Sequence, residues 1–148
     1  MDDTWMDLAL AEARRAEEAG EVPVGAVIVI DAQVIATGRI APIASNDPTA
    51  HAEVVAIRQA AKAVGDYRLS GASLYVTLEP CAMCAGALVN ARVARLVFGA
   101  RDLRFGGVRS KFRIADSGLL NHSVEIVEGV RAAECTALLK KFFEGRRV

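Results

Sequence analysis

The chain has 148 residues, 53% of them hydrophobic, three cysteines and no formal net charge. That length suits one domain with a full core over residues 1–148, and the longest apolar run, "VGAVIVI" at 24–30, is too short to span a bilayer. The odd cysteine count argues against a disulfide framework and, with an acidic opening "MDDTWMD" lacking any signal-peptide layout, predicts a cytoplasmic protein with no membrane partner.

In chain order, "WMDLALAEARRAEEAG" reads as an amphipathic helix, with Trp5, Leu8, Ala9, Glu12 and Ala16 at helical spacing and Gly20 where a C-cap belongs. The β-branched run 24–30 predicts a buried strand, and "DAQ" turns the chain into a second strand over 33–39. A loop, "IAPIASNDPT", follows. Asp47 as N-cap and Pro48 at the first helical position predict a helix from there to about Val64, ending before Gly65. "ASLYVTL" is a third strand, Pro80 opens a third helix over roughly 81–91, and "ARLVFGA" is a fourth strand. A Gly- and Arg-rich loop over 101–113 leads to a short helical or irregular piece near 114–120. The fifth strand lies in "SVEIVEG" and a closing amphipathic helix in "RAAECTALLKKFFEG". Strands alternating with helices predict a three-layer α/β/α domain.

Charge is unevenly spread. Residues 1–21 hold seven acids against two arginines, whereas 92–113 hold Arg92, Arg95, Arg101, Arg104, Arg109, Lys111 and Arg113 against Asp102 alone. Lys140, Lys141, Arg146 and Arg147 form a second basic group. Such clusters suit either a phosphate backbone or an ordinary solvated surface.

The cysteines carry the chemistry. In "TLEPCAMCAG", Cys81 and Cys84 stand at i and i+3, so their sulfurs point the same way, and Pro80 puts both in a first helical turn where the dipole favours thiolates. Two buried thiols or a redox pair would show the same spacing. Two thiolates are also half a zinc site, and His51, His122 and Cys135 are the candidates for the rest. "TAHAE" puts His51 and Glu53 near a helix start about thirty residues upstream; in a regular helix, residues two apart diverge by about 200°, so these two converge only if the turn is distorted or Glu53 reaches around. H-x-E followed by P-C-x-x-C is a signature already described for zinc deaminases. It selects His51, Cys81 and Cys84 as three ligands and leaves a fourth position open, as in catalytic rather than structural zinc sites. Glu53 is then free to shuttle protons.

Beyond that signature, "EVPVGAVIV", "DPTAHAE", "YRL", "LYVTLEPCAMCAGA", "VFGARD", "LNH" and the closing "EC…ALL…FF…RR" make nearly the whole chain resemble the bacterial tRNA-specific adenosine deaminases. The resemblance implies a cytidine-deaminase-like fold with a five-stranded mixed sheet, a homodimer, and hydrolysis of adenosine to inosine at the wobble position of a tRNA anticodon. It also implies water attack at adenine C6 with Glu53 moving the protons, and backbone amides near Ala52 and Cys81 orienting the reacting groups. Val24, Leu78 and Pro42 would line the pocket, Asp102 would meet the backbone beside the target base, and Phe143, Arg146 and Arg147 would meet neighbouring anticodon nucleotides. Read on their own, Asp102 is as well explained as a loop cap and the tail as an amphipathic helix end, with Phe142 the more core-like aromatic. His122 reads as a loop residue and Cys135 as core.

One position departs from the family pattern. The loop after the second strand typically reads Gly-x-Asn, its asparagine bonding the target base, whereas this chain has "GRIAPI" with Ile40 in that place. A related base deaminase with altered specificity (cytosine in single-stranded nucleic acid, DNA included, or guanine) is therefore the alternative. A non-catalytic zinc module that binds RNA has no use for Glu53, and a redox CxxC protein leaves His51-Ala52-Glu53 unexplained.

Overall fold

The computed structural model describes residues 1–146. Its elements are α1 (Asp2–Glu18), β1 (Gly25–Ile30), β2 (Gln33–Arg39), α2 (Pro42–Ser45), α3 (Ala52–Val64), β3 (Ser73–Leu78), α4 (Ala82–Asn90), β4 (Arg95–Ala100), β5 (Glu125–Glu128) and α5 (Ala132–Glu144). The strands form one mixed sheet in the order β2-β1-β3-β4-β5. β1 runs antiparallel to both β2 and β3, whereas β3, β4 and β5 are mutually parallel.

The two-residue turn between β1 and β2 places Asp31 and Ala32 at φ 51° and 58°, the doubly positive geometry whose twist matches that of paired strands. The sheet buries both faces. On one, Ile28, Leu74, Val76, Leu96 and Phe98 pack with Ala52, Ala56 and Ala60 of α3 and Ala85 and Leu88 of α4. On the other, Val27, Val29, Tyr75 and Val97 meet Met6, Ala9 and Leu10 of α1 and Cys135 of α5. Each fully buried aliphatic or aromatic side chain contributes about 1.5–3 kcal/mol, so these two layers supply the drive to fold.

Several sequence expectations need correction. The buried stripe of α1 is Met6, Ala9, Leu10, Ala13 and Ala16, while Leu8 is exposed, because small residues let the helix lie directly on the sheet. Gly25 shows the closeness: a side chain there would strike the Ala9 carbonyl and the Ala13 amide. Gly20 lies one position past the cap, at φ 81°, with Glu21 N–H closing on the Ala16 carbonyl at 2.9 Å. The loop after β2 contains the short helix α2. Asp47 and Pro48 do not start α3. Asp47 Oδ1 instead accepts from Thr49 N and Oγ1 at 2.8 and 2.7 Å, a local turn that competes with helix, and α3 begins only at Ala52. Residues 114–120 take the irregular form, one of the two the sequence allowed.

Candidate active site

Four chain segments meet where β3 and β4 end, β2 ends and β1 begins, the rim of the sheet on which α/β folds assemble sites. His51 and Cys81 are both N-cap residues, of α3 and α4, each with extended backbone (φ −77°, ψ 153° and φ −72°, ψ 177°) and neither capping its helix with its own side chain. Those side chains turn toward each other. Cys84, in the first turn of α4 and fully buried, completes the group. This also explains how His51 and Glu53 converge: His51 stands outside the helix and Glu53 is its second residue, so the 200° rule does not apply between them.

His51 Nδ1 lies 3.6 Å from Cys81 Sγ and 3.4 Å from Cys84 Sγ, and all three donor atoms fall within 4.8 Å of one another. A tetrahedral ion with Zn–N of about 2.05 Å and Zn–S of about 2.3 Å sets its N and S ligands about 3.6 Å apart. The residues therefore fit a zinc-like ion, as three ligands with a fourth position left over, and two thiolates with one imidazole are the donor set it prefers. His122 does not join them; its Nε2 lies 2.8 Å from the Val93 carbonyl, tethering a loop. Cys135 is buried on the opposite face of the sheet.

The electrostatics suit that reading. The Cys81 thiol is drawn down to about 4, first by its hydrogen bond with Cys84 and then by His51, while Cys84 is pushed up by that same bond and by burial. Two sulfurs thus share one proton beside an imidazole whose own pKa is raised, chiefly by the bond to Cys81. Glu53 is buried at 4% exposure, and burial lifts its carboxyl to about 7. The dipoles of α3 and α4 both aim positive ends here, favouring anionic groups.

Beside the group opens a cavity of ≈290 Å³, at the small end for ligand pockets, floored by His51, Ala52, Glu53 and Cys81 and walled by Val24, Ile40, Leu78 and Asp102. Four of the expected substrate residues are thus brought together. Pro42 is not among them; it is the first residue of α2 and does not line the cavity. Phe143, half exposed, lines a second groove that shares Val22, Leu78, Asp102 and Phe105 with the cavity, so the tail of α5 adjoins the site. Arg146 lies over the Phe142 ring at 4.5 Å and donates to the Gly20 carbonyl at 3.3 Å. Arg147 lies outside the described residues. Of the basic stretch, Arg95, Arg101 and Arg109 are engaged with Asp2, Glu128 and Asp116, and Arg92 donates to the Asn121 carbonyl at 3.2 Å, which leaves exposed Arg104, Lys111 and Arg113 as the cations nearest a solvated role.

Four contributors were invisible in the sequence. Val22 and Phe105 line the cavity. Buried Glu21 accepts the Ile43 and Ala44 amides at 3.3 and 2.9 Å, capping α2 just after Ile40. Buried Glu79 accepts amides from the loop after β4. The two carboxylates bond 22 or more positions away, so no local pattern marks them.

The chain matches the model of the MafB19-like deaminase family over residues 1–147. It is 49% identical over 147 residues to the tRNA-specific adenosine deaminase of Haemophilus influenzae, covering 99% of this chain and 85% of that protein. Its identity to the enzyme of the same name from Bacillus subtilis is 45% over 146 residues, covering 99% and 91%. A solved structure from a study of A-to-I editing by tRNA:A34 deaminases at the wobble position of transfer RNA superposes with a TM-score of 0.89 at 46% identity, over 92% of this chain and 99% of that one. Matched over residues 1–147 and bringing His51, Cys81 and Cys84 together beside a buried carboxylate, the chain belongs to the MafB19-like deaminase family, among the tRNA-specific adenosine deaminases.

Proposed function

We propose that this chain hydrolyses adenosine to inosine at the wobble position of a tRNA anticodon, with His51, Cys81 and Cys84 holding a zinc ion. The observation that carries the reading is the packing of that ligand triangle and buried Glu53 at the floor of one small apolar-walled cavity. When bound, zinc supplies Lewis acidity that brings the pKa of a coordinated water to about 7. Glu53 supplies the proton traffic. It accepts the proton of the attacking water, delivers one to N1 of the adenine ring, and assists the departure of the C6 amino group as ammonia. A carboxyl lifted to about 7 by burial can both accept and return a proton near neutral pH.

The other residues hold the base. Val24, Leu78 and Ile40 form apolar walls against a flipped ring, and the helix-start amides at Ala52 and Cys81 orient the reacting groups. Asp102 meets the nucleotide backbone beside the target base: its Oδ1 accepts from Arg104 N and Phe105 N, both at 3.1 Å, its N–H donates to Glu79 and its carbonyl accepts from Gly106 N, so Oδ2 is the atom left to the substrate. Phe143 and Arg146, with Arg147 beyond the described residues, extend the footprint along the anticodon loop.

A tRNA substrate supports the cytoplasm as the compartment in which this reading has the protein act. Among the described residues no helix is long and apolar enough to cross a membrane. The homodimer is proposed through the outer face of α3 and α4, where a shallow groove lined by Val54, Ile57, Tyr67 and Ala87 lies near exposed Met83; a monomeric mass in sedimentation would remove it.

Relatives named for adenosine, at 45–49% identity, do not favour the cytosine or guanine alternative. An anticodon stem-loop carrying A or C at the wobble position tests the reading directly. The parent chain is expected to yield inosine from the first, and Glu53→Gln to lose about 10²–10⁴-fold in turnover while keeping its metal. Near-parental turnover in that variant would show that Glu53 is not the proton carrier, and preferential conversion of C would replace adenosine as the substrate.

A further inference from the structure

We infer that Glu79, for which no role in the reaction is otherwise evident, is a positioning residue: its buried carboxylate sets the substrate-facing wall formed by Asp102 and Phe105. The inference rests on the substrate reading above.

The segment between β4 and β5, residues 101–124, has no regular secondary structure, yet it forms one side of the cavity through Asp102 and Phe105. Long structureless segments need something to order them. Glu79, at 2% exposure in the link between β3 and α4, borders the cavity and turns both carboxylate oxygens into this segment, where every hydrogen bond given to them is with the arm. Its Oε2 accepts three successive amides, Val108 N at 3.1 Å, Arg109 N at 2.7 Å and Ser110 N at 2.9 Å. Consecutive backbone N–H groups converging on one point form an anion-binding concavity, here filled by the chain's own carboxylate. Its Oε1 accepts Asp102 N at 3.1 Å and the Ser110 hydroxyl. Hydrogen bonds to an ionised acceptor are about twice as strong as neutral ones, so one side chain ties both ends of the arm.

The sequence around the carboxylate is fitted to it. A side chain at Gly106 would strike the Glu79 carboxyl and the Asp102 carbonyl, and one at Gly107 would strike the Cys81–Ala82 backbone. Gly107 N–H donates to the Pro80 carbonyl at 2.7 Å, and Cys81 pairs with Gly106 in an antiparallel bridge. The arm is therefore built on Glu79-Pro80-Cys81, the segment that also carries a proposed metal ligand. This placement separates two roles. The Oε2 bonds hold residues 108–110, away from the cavity, whereas the Oε1 bond to Asp102 N holds the residue that lines it.

Glu79→Gln separates them experimentally. An amide oriented with its oxygen in the Oε2 position keeps three acceptor bonds and sets an NH₂ against Asp102 N–H; the Ser110 hydroxyl, which donated to Oε1, can turn to accept from that NH₂, so only the cavity end of the arm loses its partner. Stem-loop deamination by metal-loaded protein is expected to show KM raised about tenfold with kcat within twofold of the parent and one zinc per chain retained. Gly106→Ala, whose added carbon would strike Glu79 Oε2 and the Asp102 carbonyl, displaces the arm from both oxygens while leaving Glu79 ionisable; in protein that retains its zinc it is expected to raise KM as well, and it serves where the glutamine variant does not fold. Unchanged KM in soluble, metal-loaded protein overturns the inference, as does a fall in kcat or zinc content at unchanged KM, because Glu79 would then serve the ligand segment or stability alone. A parent chain that leaves the stem-loop unedited overturns the substrate reading and this inference together; only failure of the inference alone leaves parental activity intact.

Discussion

Ile40 closes the end of β2 with its N–H on the Val24 carbonyl at 3.1 Å and its half-buried side chain on the cavity wall. The resemblance implies an asparagine here that offers a donor and an acceptor to the purine edge; isoleucine offers neither, so base atoms seated against it would lack those partners. Such a loss costs about 1–3 kcal/mol, or roughly ten- to two-hundredfold. Ile40→Asn is therefore expected to raise adenosine turnover by about tenfold or more and to lower the ratio of cytidine to adenosine conversion on matched stem-loops. Identical ratios before and after the change would make Ile40 a bystander. Residue identity was the most legible level: His51, Glu53, Cys81 and Cys84 announce themselves by type and spacing. Glu79 and Phe105 do not, because their significance is a partner or a cavity far away in sequence.

At the level of elements, the first turn of α1 is fastened to the sheet by charge. Arg95 on β4 binds Asp2 in a two-point pair at 2.8 and 2.7 Å, and Tyr75 on β3 donates to the same carboxylate at 2.8 Å. The Arg95 bond leads in holding the Asp2 carboxyl at about 2, below its ordinary 3.8. A depressed carboxyl pKa stabilises the folded state above pH 3.8, and that stabilisation drains away as pH falls toward 2. Because the pair is partly solvated, its worth is about 1 kcal/mol rather than the full shift. Asp2→Asn is expected to lower stability by that amount at pH 7 and to approach the parent only as pH falls to about 2 and below, as read from urea midpoints at pH 7 and at the acid limit. A gap of equal size at both would remove the ion pair from the account. Elements were legible from periodicity, but their edges were not. The Asp47-Pro48 signal marks a helix start in general, and here the Asx turn took the aspartate while α3 waited for His51.

For the molecule as a whole, an ion held by His51, Cys81 and Cys84 would tie the starts of α3 and α4 across the face of the sheet. The purified protein is expected to hold about one zinc per chain. Cys84→Ala, or chelation, is expected to remove it and to lower Tm by roughly 5–10 °C, the effect of losing about 2–3 kcal/mol of ligand linkage in a chain of this size. Full zinc occupancy in Cys84→Ala would refute the ligand set.

Sequence alone determined the α/β layering, the succession of main strands and helices along the chain, and which His and Cys side chains would be found together, because these follow from short-range period and from a donor spacing that few other functions demand. Only the tertiary structure decided how those parts meet. It placed His51 outside its helix so that Glu53 could share its site, left Pro42 off the cavity wall, and engaged Arg95, Arg101 and Arg109 in ion pairs. It also gave the loop over 101–110 its shape through a carboxylate more than twenty positions upstream. The reason is physical: a buried carboxylate must find donors wherever the fold brings them, and that choice is made by packing, not by neighbours in the chain.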